Sequence, residues 1–188
     1  LEEYPNTIFS PLILGGDSDP TRIWFAGGRL DMKRGRCEHV GYGMRPGGVL
    51  AESATDFITG AAPLMRRTVW DKLGGFDESL FLYWEDVEWS IRAREQGIEL
   101  RVLSELTVQH LEGGSSSTSK GAVYQYYMAR NRLVVCAGRD GFRPLGAGLI
   151  ESIRVVALSA RGSRSGRTAR LAASLRGTAH GYASILRR

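Results

Sequence analysis

Lysine is scarce in this chain: three residues against 22 arginines. Cysteine is scarcer still. Cys37 and Cys136 stand far apart, with no CxxC pair and no Cys/His cluster. That argues against a disulfide framework and against a structural zinc site, so both read as small buried hydrophobes. Long apolar runs are missing. Leu145–Ile150 and Val155–Leu158 are interrupted by Glu151 and Arg154, far short of the roughly 18 residues a membrane-spanning helix needs. A signal peptide and an initiator Met are also missing, since the chain opens Leu-Glu-Glu-Tyr; it reads as a piece of a longer protein. Finally, acid is missing beyond Glu151: all 20 Asp and Glu lie at or before that position.

What is present is ordinary for a folded domain. Of 188 residues, 43% are apolar and 24% charged, which argues against wholesale disorder. A chain this long buries roughly 70% of its unfolded surface and needs no staples. The net charge of +5 conceals a split. Residues 1–153 are mildly acidic, while residues 154–188 carry eight arginines and no acid. A basic tail points to a polyanion such as nucleic acid or anionic lipid. Its plain alternative is a solvated, arginine-biased helix face.

Coarse patterning gives strands interleaved with helices, hence an α/β fold. Thr7–Leu14 predicts a strand in which Pro11 marks an edge or a bulge. Gly15–Pro20 is a dense turn signal, and Arg22–Ala26 predicts a second strand. Residues 31–50, rich in Gly and Arg, read as a surface loop. Thr55–Met65 reads as strand, small-residue bend, strand. Thr68–Leu73 is a short helix stopped by Gly74-Gly75. Leu82–Gln96 is the best helix: Trp84, Val87 and Ile91 form one apolar stripe, Glu88 and Arg92 pair at i,i+4, and Gly97 supplies the stop. Ile98–Leu103 and Leu106–His110 follow as strands. Residues 111–120 read as a flexible loop. Gly121–Gly138 is helical, with Val123, Tyr127 and Val134 near one face. Residues 145–188 predict two further helices broken at 161–167, so the chain divides into a body, 1–144, and a basic helical tail, 145–188.

The densest segment is Gly74–Gly97, GGFDESLFLYWEDVEWSIRAREQG. It joins a double-Gly turn, Asp77-Glu78, an aromatic cluster, and Glu85-Asp86 at a helix start. Exposed N–H groups and the helix dipole stabilise carboxylates there as anions. Adjacent helix positions diverge by about 100°, so one acid can face a cleft while its neighbour is held by structure. Read from the residues alone, the pair is either a helix-start feature or a catalytic base. His110 is either a core histidine or a ligand at a strand end. Gly60-Ala61 either packs tightly or admits a ligand close to the backbone. Trp84 is either a stacking aromatic or a buried one. Asp17-Ser18-Asp19 spells DxD, but between Gly-Gly and Pro it reads as a turn.

Five pieces in this order, AGGRLD (26–31), TDFITGAAPLMRR (55–67), GGFDESLFLYWEDVEWSIRAREQG (74–97), LTVQH (106–110) and YYMARNRL (126–133), resemble the C-terminal part of a family 2 glycosyltransferase of GT-A fold, of the rhamnosyltransferase type. The resemblance implies a mixed sheet with flanking helices, its N-terminal nucleotide-binding half and metal-binding DxD lying outside this chain. It implies inverting transfer of a sugar from a nucleotide-sugar donor, dTDP-rhamnose favoured, to an acceptor hydroxyl. Asp86 matches the catalytic base, with Glu85 orienting it or touching the acceptor. His110 matches a ligand of the Mg²⁺ or Mn²⁺ that carries the pyrophosphate. Asp56, Gly60, Ala61, Trp84 and Arg130 match substrate-binding positions; for Arg130 the alternative is an internal ion pair. The implied partners are the donor and a saccharide or lipid-linked acceptor, with no nucleic acid. The implied location is the cytoplasm, with peripheral contact at the inner face of the plasma membrane through 145–188. A non-catalytic membrane- or polyanion-binding module derived from a degenerate transferase is the other reading.

Overall fold

The computed structural model describes residues 2–15, 19–47, 52–110, 121–137, 139, 150, 153, 154, 157 and 166–187. The expected loop over 111–120, with the lid that the resemblance implies at 113–120, most of the expected helix that follows residue 145, and Asp17-Ser18 of the DxD turn lie outside the described residues. The chain forms two compact units. The first comprises Leu1–Leu30, Cys37–Glu78 and Glu85–Ser117; the second comprises Asp31–Arg36, Ser79–Trp84 and Thr118–Arg188.

The first unit is built on a four-stranded sheet. Strands β1 (Thr7–Gly15), β2 (Ile23–Phe25), β5 (Glu52–Ala54) and β6 (Glu99–His110) lie in the order β2-β1-β6-β5. Parallel pairing of β1 with β6, against antiparallel β2 and β5, makes the sheet mixed. β1 is buried almost throughout, as its nearly continuous apolar run requires of a central strand. Pro11 therefore marks a bulge rather than an edge. The register with β6 jumps between Pro11 and Leu12, where proline has no N–H to give the ladder. β6 is one continuous strand where two were expected.

Helices α1 (Arg67–Leu73) and α2 (Glu85–Glu95) supply the other side of the core. Val69, Leu73, Trp89 and Ala93 pack with Ile8, Ile58, Ile98 and Leu100, and Met65 and Phe76 border them. α1 stops at Gly74, whose φ of 77° favours glycine. The Trp89 indole N–H donates to the Gly74 carbonyl at 2.8 Å. Arg92 donates to the carbonyls of Leu73 and Gly75, each at 2.7 Å, and meets Glu88 at 3.0 Å as its spacing predicts. One side chain thus satisfies the open end of α1 and ties α2 to it.

Residues 31–50 do not form the expected loop alone. β3 (Gly28–Asp31) and β4 (Arg36–His39) make a two-stranded hairpin. Neither shows clean apolar alternation, which is why composition conceals it. Over 55–65 the two expected strands reduce to isolated bridges, Phe57 with Gly28 and Leu64 with Phe9.

The second unit is a helical pair. α3 (Ala122–Cys136) packs on α4 (Arg167–Leu186). Ser174, Gly177, Thr178 and Gly181 form the buried stripe of α4 at helical spacing. A Cβ on Gly177 would sit 2.2 Å from the Tyr126 carbonyl oxygen, so glycine there permits the close approach. The buried face of α3 is Gln125, Ala129 and Asn131–Cys136; Val123, expected on it, is 56% exposed. Cys136 is buried and Cys37 half-buried; both are free thiols.

Candidate functional site

α2 begins at Glu85, three residues later than its apolar pattern predicts. Phe81, Tyr83 and Trp84 all have positive φ, 62°, 62° and 73°, a region that non-glycine residues enter only at a cost of about 1–2 kcal/mol each. That backbone cannot be helical. Within the second unit, Asn131 accounts for it. Its side-chain amide, fully buried, faces the carbonyls of Leu80, Leu82 and Tyr83 at 2.8, 2.9 and 2.8 Å. Arg130 donates to the Ser79 carbonyl at 3.2 Å and to the Asn131 side-chain oxygen. Its guanidinium is thus engaged in holding this segment. Trp84 is buried, 3% exposed, and its indole N–H has no hydrogen-bond partner among the described residues. The stacking role considered for Trp84 gives way to the buried one.

In the first unit, Asp86 meets the small-residue bend. The Gly60 N–H donates to Asp86 Oδ2 at 3.3 Å, and the Val87 N–H to Oδ1 at 2.8 Å. Ser90 anchors the same bend, accepting the Ile58 N–H at 3.0 Å. Gly60 is exposed and Ala61 exposed beside it. A Cβ on Gly60 would meet nothing nearer than Phe76 Cζ at 3.5 Å, so tight packing does not explain this glycine.

A helix start by itself keeps acids ionised and their pKa low. Here burial outweighs it. Desolvation pushes the Asp86 carboxyl above its ordinary value, against the N–H groups of Gly60 and Val87 and the charge of His39. Glu85 rises to about 7, first through burial and then through the neighbouring Asp86 charge. Its Oε2 is buried without a hydrogen-bond partner among the described residues.

Asp56 is not beside this pair. It accepts the Leu30 N–H at 2.9 Å and meets Arg94 at 3.5 Å, lining a separate cavity toward the other end of α2. His110 ends β6 opposite Gly15, where a side chain would collide with the His110 carbonyl oxygen at 2.4 Å. Its ring stacks on Trp24 at 4.3 Å and 26°. Leu106 and Val108, which share its strand parity, are 50% and 38% exposed, so this face of β6 is not core. The His110 Nδ1 is buried without a hydrogen-bond partner among the described residues, as an unfilled ligand nitrogen would be. Among the same residues, however, no group of three or more His, Cys, Asp or Glu is gathered for a metal. Asp19, the described part of the DxD turn, is spent on the Thr21 N–H and hydroxyl and on Arg22.

Two residues escape the sequence reading. His39 shares a 3.0 Å contact with the Trp24 carbonyl through Nδ1, lies against the rings of Trp24 and Phe25, and bears electrostatically on Asp86. It sits in the stretch that reads as a loop, where no pattern flags it. Asn131 stands in a quoted motif, but its clamp depends on backbone carbonyls that sequence does not display.

The first unit is thus an α/β unit in which Asp86, at a helix start, meets an exposed glycine bend. The family described as glycosyltransferase like family 2 matches residues 39–132, half of the chain. The chain belongs to that family. No curated protein matches it.

Proposed function

We propose that Asp86 is the base of an inverting glycosyl transfer. The observation that carries this reading is its contact with Gly60: a raised-pKa carboxylate that accepts the Gly60 N–H at an exposed bend, beside the Val87 N–H. In the transfer, the acceptor oxygen attacks the anomeric carbon of the donor. The bond from that carbon to the nucleotide diphosphate breaks, and the hydroxyl proton passes to an Asp86 carboxylate oxygen. A raised pKa makes that oxygen a better proton acceptor than an ordinary aspartate. Glu85, with a pKa of about 7, spends much of its time neutral, so the charge of the pair concentrates on Asp86. Gly60 and Ala61 offer backbone to the donor sugar without side-chain bulk.

His110 would give one nitrogen to a divalent Mg²⁺ or Mn²⁺, which when bound would neutralise the departing pyrophosphate. dTDP-rhamnose is the favoured donor, and a cell-surface saccharide or its lipid-linked precursor the acceptor. No helix among the described residues is long and apolar enough to cross a membrane. Contact with the inner face of the plasma membrane would come through the basic 145–188 segment. The test is transfer by the full-length enzyme, including the N-terminal nucleotide-binding half, from a panel of nucleotide sugars including dTDP-rhamnose, with the anomeric configuration of the product determined by NMR. Inverted product from the wild type and its near-complete loss in Asp86→Asn are expected. Retained configuration, or wild-type turnover in the variant, overturns the reading.

A further inference from the structure

The first unit contains an open cavity of about 1030 Å³ that the catalytic reading does not use. Its wall is drawn from β3, the turn after β4, the segment following β5, the last turn of α2 and the start of β6. Neither Asp86, Gly60 nor His110 lines it. The distance is readable along the chain. Arg94 lies eight residues beyond Asp86 on α2, about 12 Å at the helical rise.

The charge of the cavity is unbalanced. Arg29, Arg45, Arg94 and Arg101 line it, against Asp56 and Glu99. The two acids are matched with two of the arginines, Arg94 with Asp56 at 3.5 Å and Arg101 with Glu99 at 3.4 Å. Both separations exceed the roughly 2.7–2.9 Å of a tight charge-assisted bond, so both pairs can reopen toward a stronger acceptor. Arg29 and Arg45 have no carboxylate within ion-pair distance among the described residues. They are exposed at the cavity, on separate elements. The remaining wall is largely backbone and apolar carbon: Gly27, Gly28, Gly41, Ala26, Val40 and Met44. The volume matches the upper range of small-molecule sites. A small-molecule site with a carbon-lined wall and two available guanidinium forks takes a body of sugar size carrying phosphoryl oxygens.

We propose that this cavity binds a phosphorylated saccharide. Within the glycosyl-transfer reading, that ligand is the phosphate-bearing stretch of an acceptor whose reacting hydroxyl lies nearer Asp86. The binding itself rests on the cavity and not on that reading. Phosphoryl oxygens also occur on lipid headgroups, and the experiment separates the two sources.

The probes are inorganic pyrophosphate, glucose 1-phosphate, glucose, and phosphatidylglycerol vesicles, each titrated into the full chain by calorimetry or, for vesicles, by co-sedimentation. Pyrophosphate and glucose 1-phosphate are expected to bind while glucose does not. The double variant Arg29→Gln/Arg45→Gln is expected to weaken both at least about tenfold, the loss of two charge-assisted contacts. Glu99→Gln, which removes a competing acid, is expected to tighten them. Asp86→Asn is expected to leave them unchanged, as binding in a cavity that Asp86 does not line requires. Vesicle binding that survives in the double variant assigns lipid contact elsewhere and supports the soluble saccharide as occupant. Vesicle binding lost together with glucose 1-phosphate binding overturns the saccharide in favour of a headgroup. Absence of phosphate binding, or equal affinity in the double variant with its circular dichroism unchanged, overturns the site. Loss of transfer in Asp86→Asn bears only on the catalytic reading, so the two inferences fail separately.

Discussion

The two ends of α2 hold charge in opposite ways. At its start, Glu85 and Asp86 are desolvated, and both carboxyls are pushed upward. Glu85 leaves one oxygen without a hydrogen-bond partner among the described residues, and Asp86 is held by two N–H groups. At its end, Arg92 satisfies Glu88 and two carbonyls, and Arg94 pairs with Asp56 at 3.5 Å, both half-exposed. A helix that only needed stability would carry solvated acids at its start, where dipole and water both favour the anion. Burying them forfeits part of that gain. The difference teaches where the protein accepts instability: at the start of α2, directly after three left-handed residues. Strain and desolvation concentrated at one place are the usual mark of a site built for chemistry.

The sharpest way to break this comparison is Asp86→Asn. It keeps the shape and, through its amide oxygen, the Gly60 contact, gives up the Val87 N–H contact, and removes the proposed proton acceptor. Transfer is expected to fall by about 10²–10⁴-fold, with thermal stability equal to or above the wild type, because a desolvated charge is gone. A variant that loses stability and keeps its rate would make the start of α2 merely structural. Next in size is Asn131→Ala. It strands three carbonyls, two of them belonging to the segment that carries the left-handed residues. A loss of about 2–4 kcal/mol in urea unfolding is expected. Asn131→Asp removes the donors but keeps the volume, so it should lose nearly as much; retained stability in Asn131→Asp would show that packing, not the amide, holds this turn.

How much of this is legible in the sequence depends on the signal each feature leaves. Helix stops are legible, because Gly74 and Gly97 take positive φ that other residues avoid. The Glu88–Arg92 pair is legible from spacing alone. The bulge in β1 is legible at Pro11, since a missing N–H is a property of the residue. The hairpin β3–β4 is not, because Arg, Leu and Asp facing Arg, Cys, Glu and His show no apolar alternation. The late start of α2 is not either: Leu82–Trp84 fits a helical stripe, and only the carbonyls held by Asn131 turn it left-handed. In the candidate site, the Glu85–Asp86 pair is visible as a pattern, whereas its raised pKa comes from tertiary burial. His39 is invisible because nothing local distinguishes it.

Glu85→Gln sharpens the comparison through pH. A carboxyl whose folded pKa is about 7, above its ordinary value of 4.5, binds more protons folded than unfolded between those pH values. Stability from this group is therefore complete below about pH 4.5 and is lost as pH rises through about 7. Allowing for solvent screening, the loss is about 1–2 kcal/mol. Glu85→Gln should flatten that part of the stability profile, measured by urea unfolding at about pH 4.5 and about pH 8. Parallel profiles in the two proteins would remove Glu85 from the desolvated pair.

The smallest effect belongs at the other end. Arg94 and Asp56 are half-exposed, 50% and 39%, and stand 3.5 Å apart, so each keeps much of its hydration. Their attraction is screened by salt, and ordering two side chains offsets much of what remains. Arg94→Ala is expected to change stability by no more than about 0.5 kcal/mol, with the difference vanishing at high salt. Asp56→Ala is expected to cost about 1 kcal/mol more, because the Leu30 N–H loses its acceptor as well. The gap between those two substitutions measures the hairpin anchor with the ion pair subtracted. If Arg94→Ala instead proved as costly as Asp56→Ala, both ends of α2 would hold their charges equally tightly, and the asymmetry that supports the proposed role of Glu85–Asp86 would disappear.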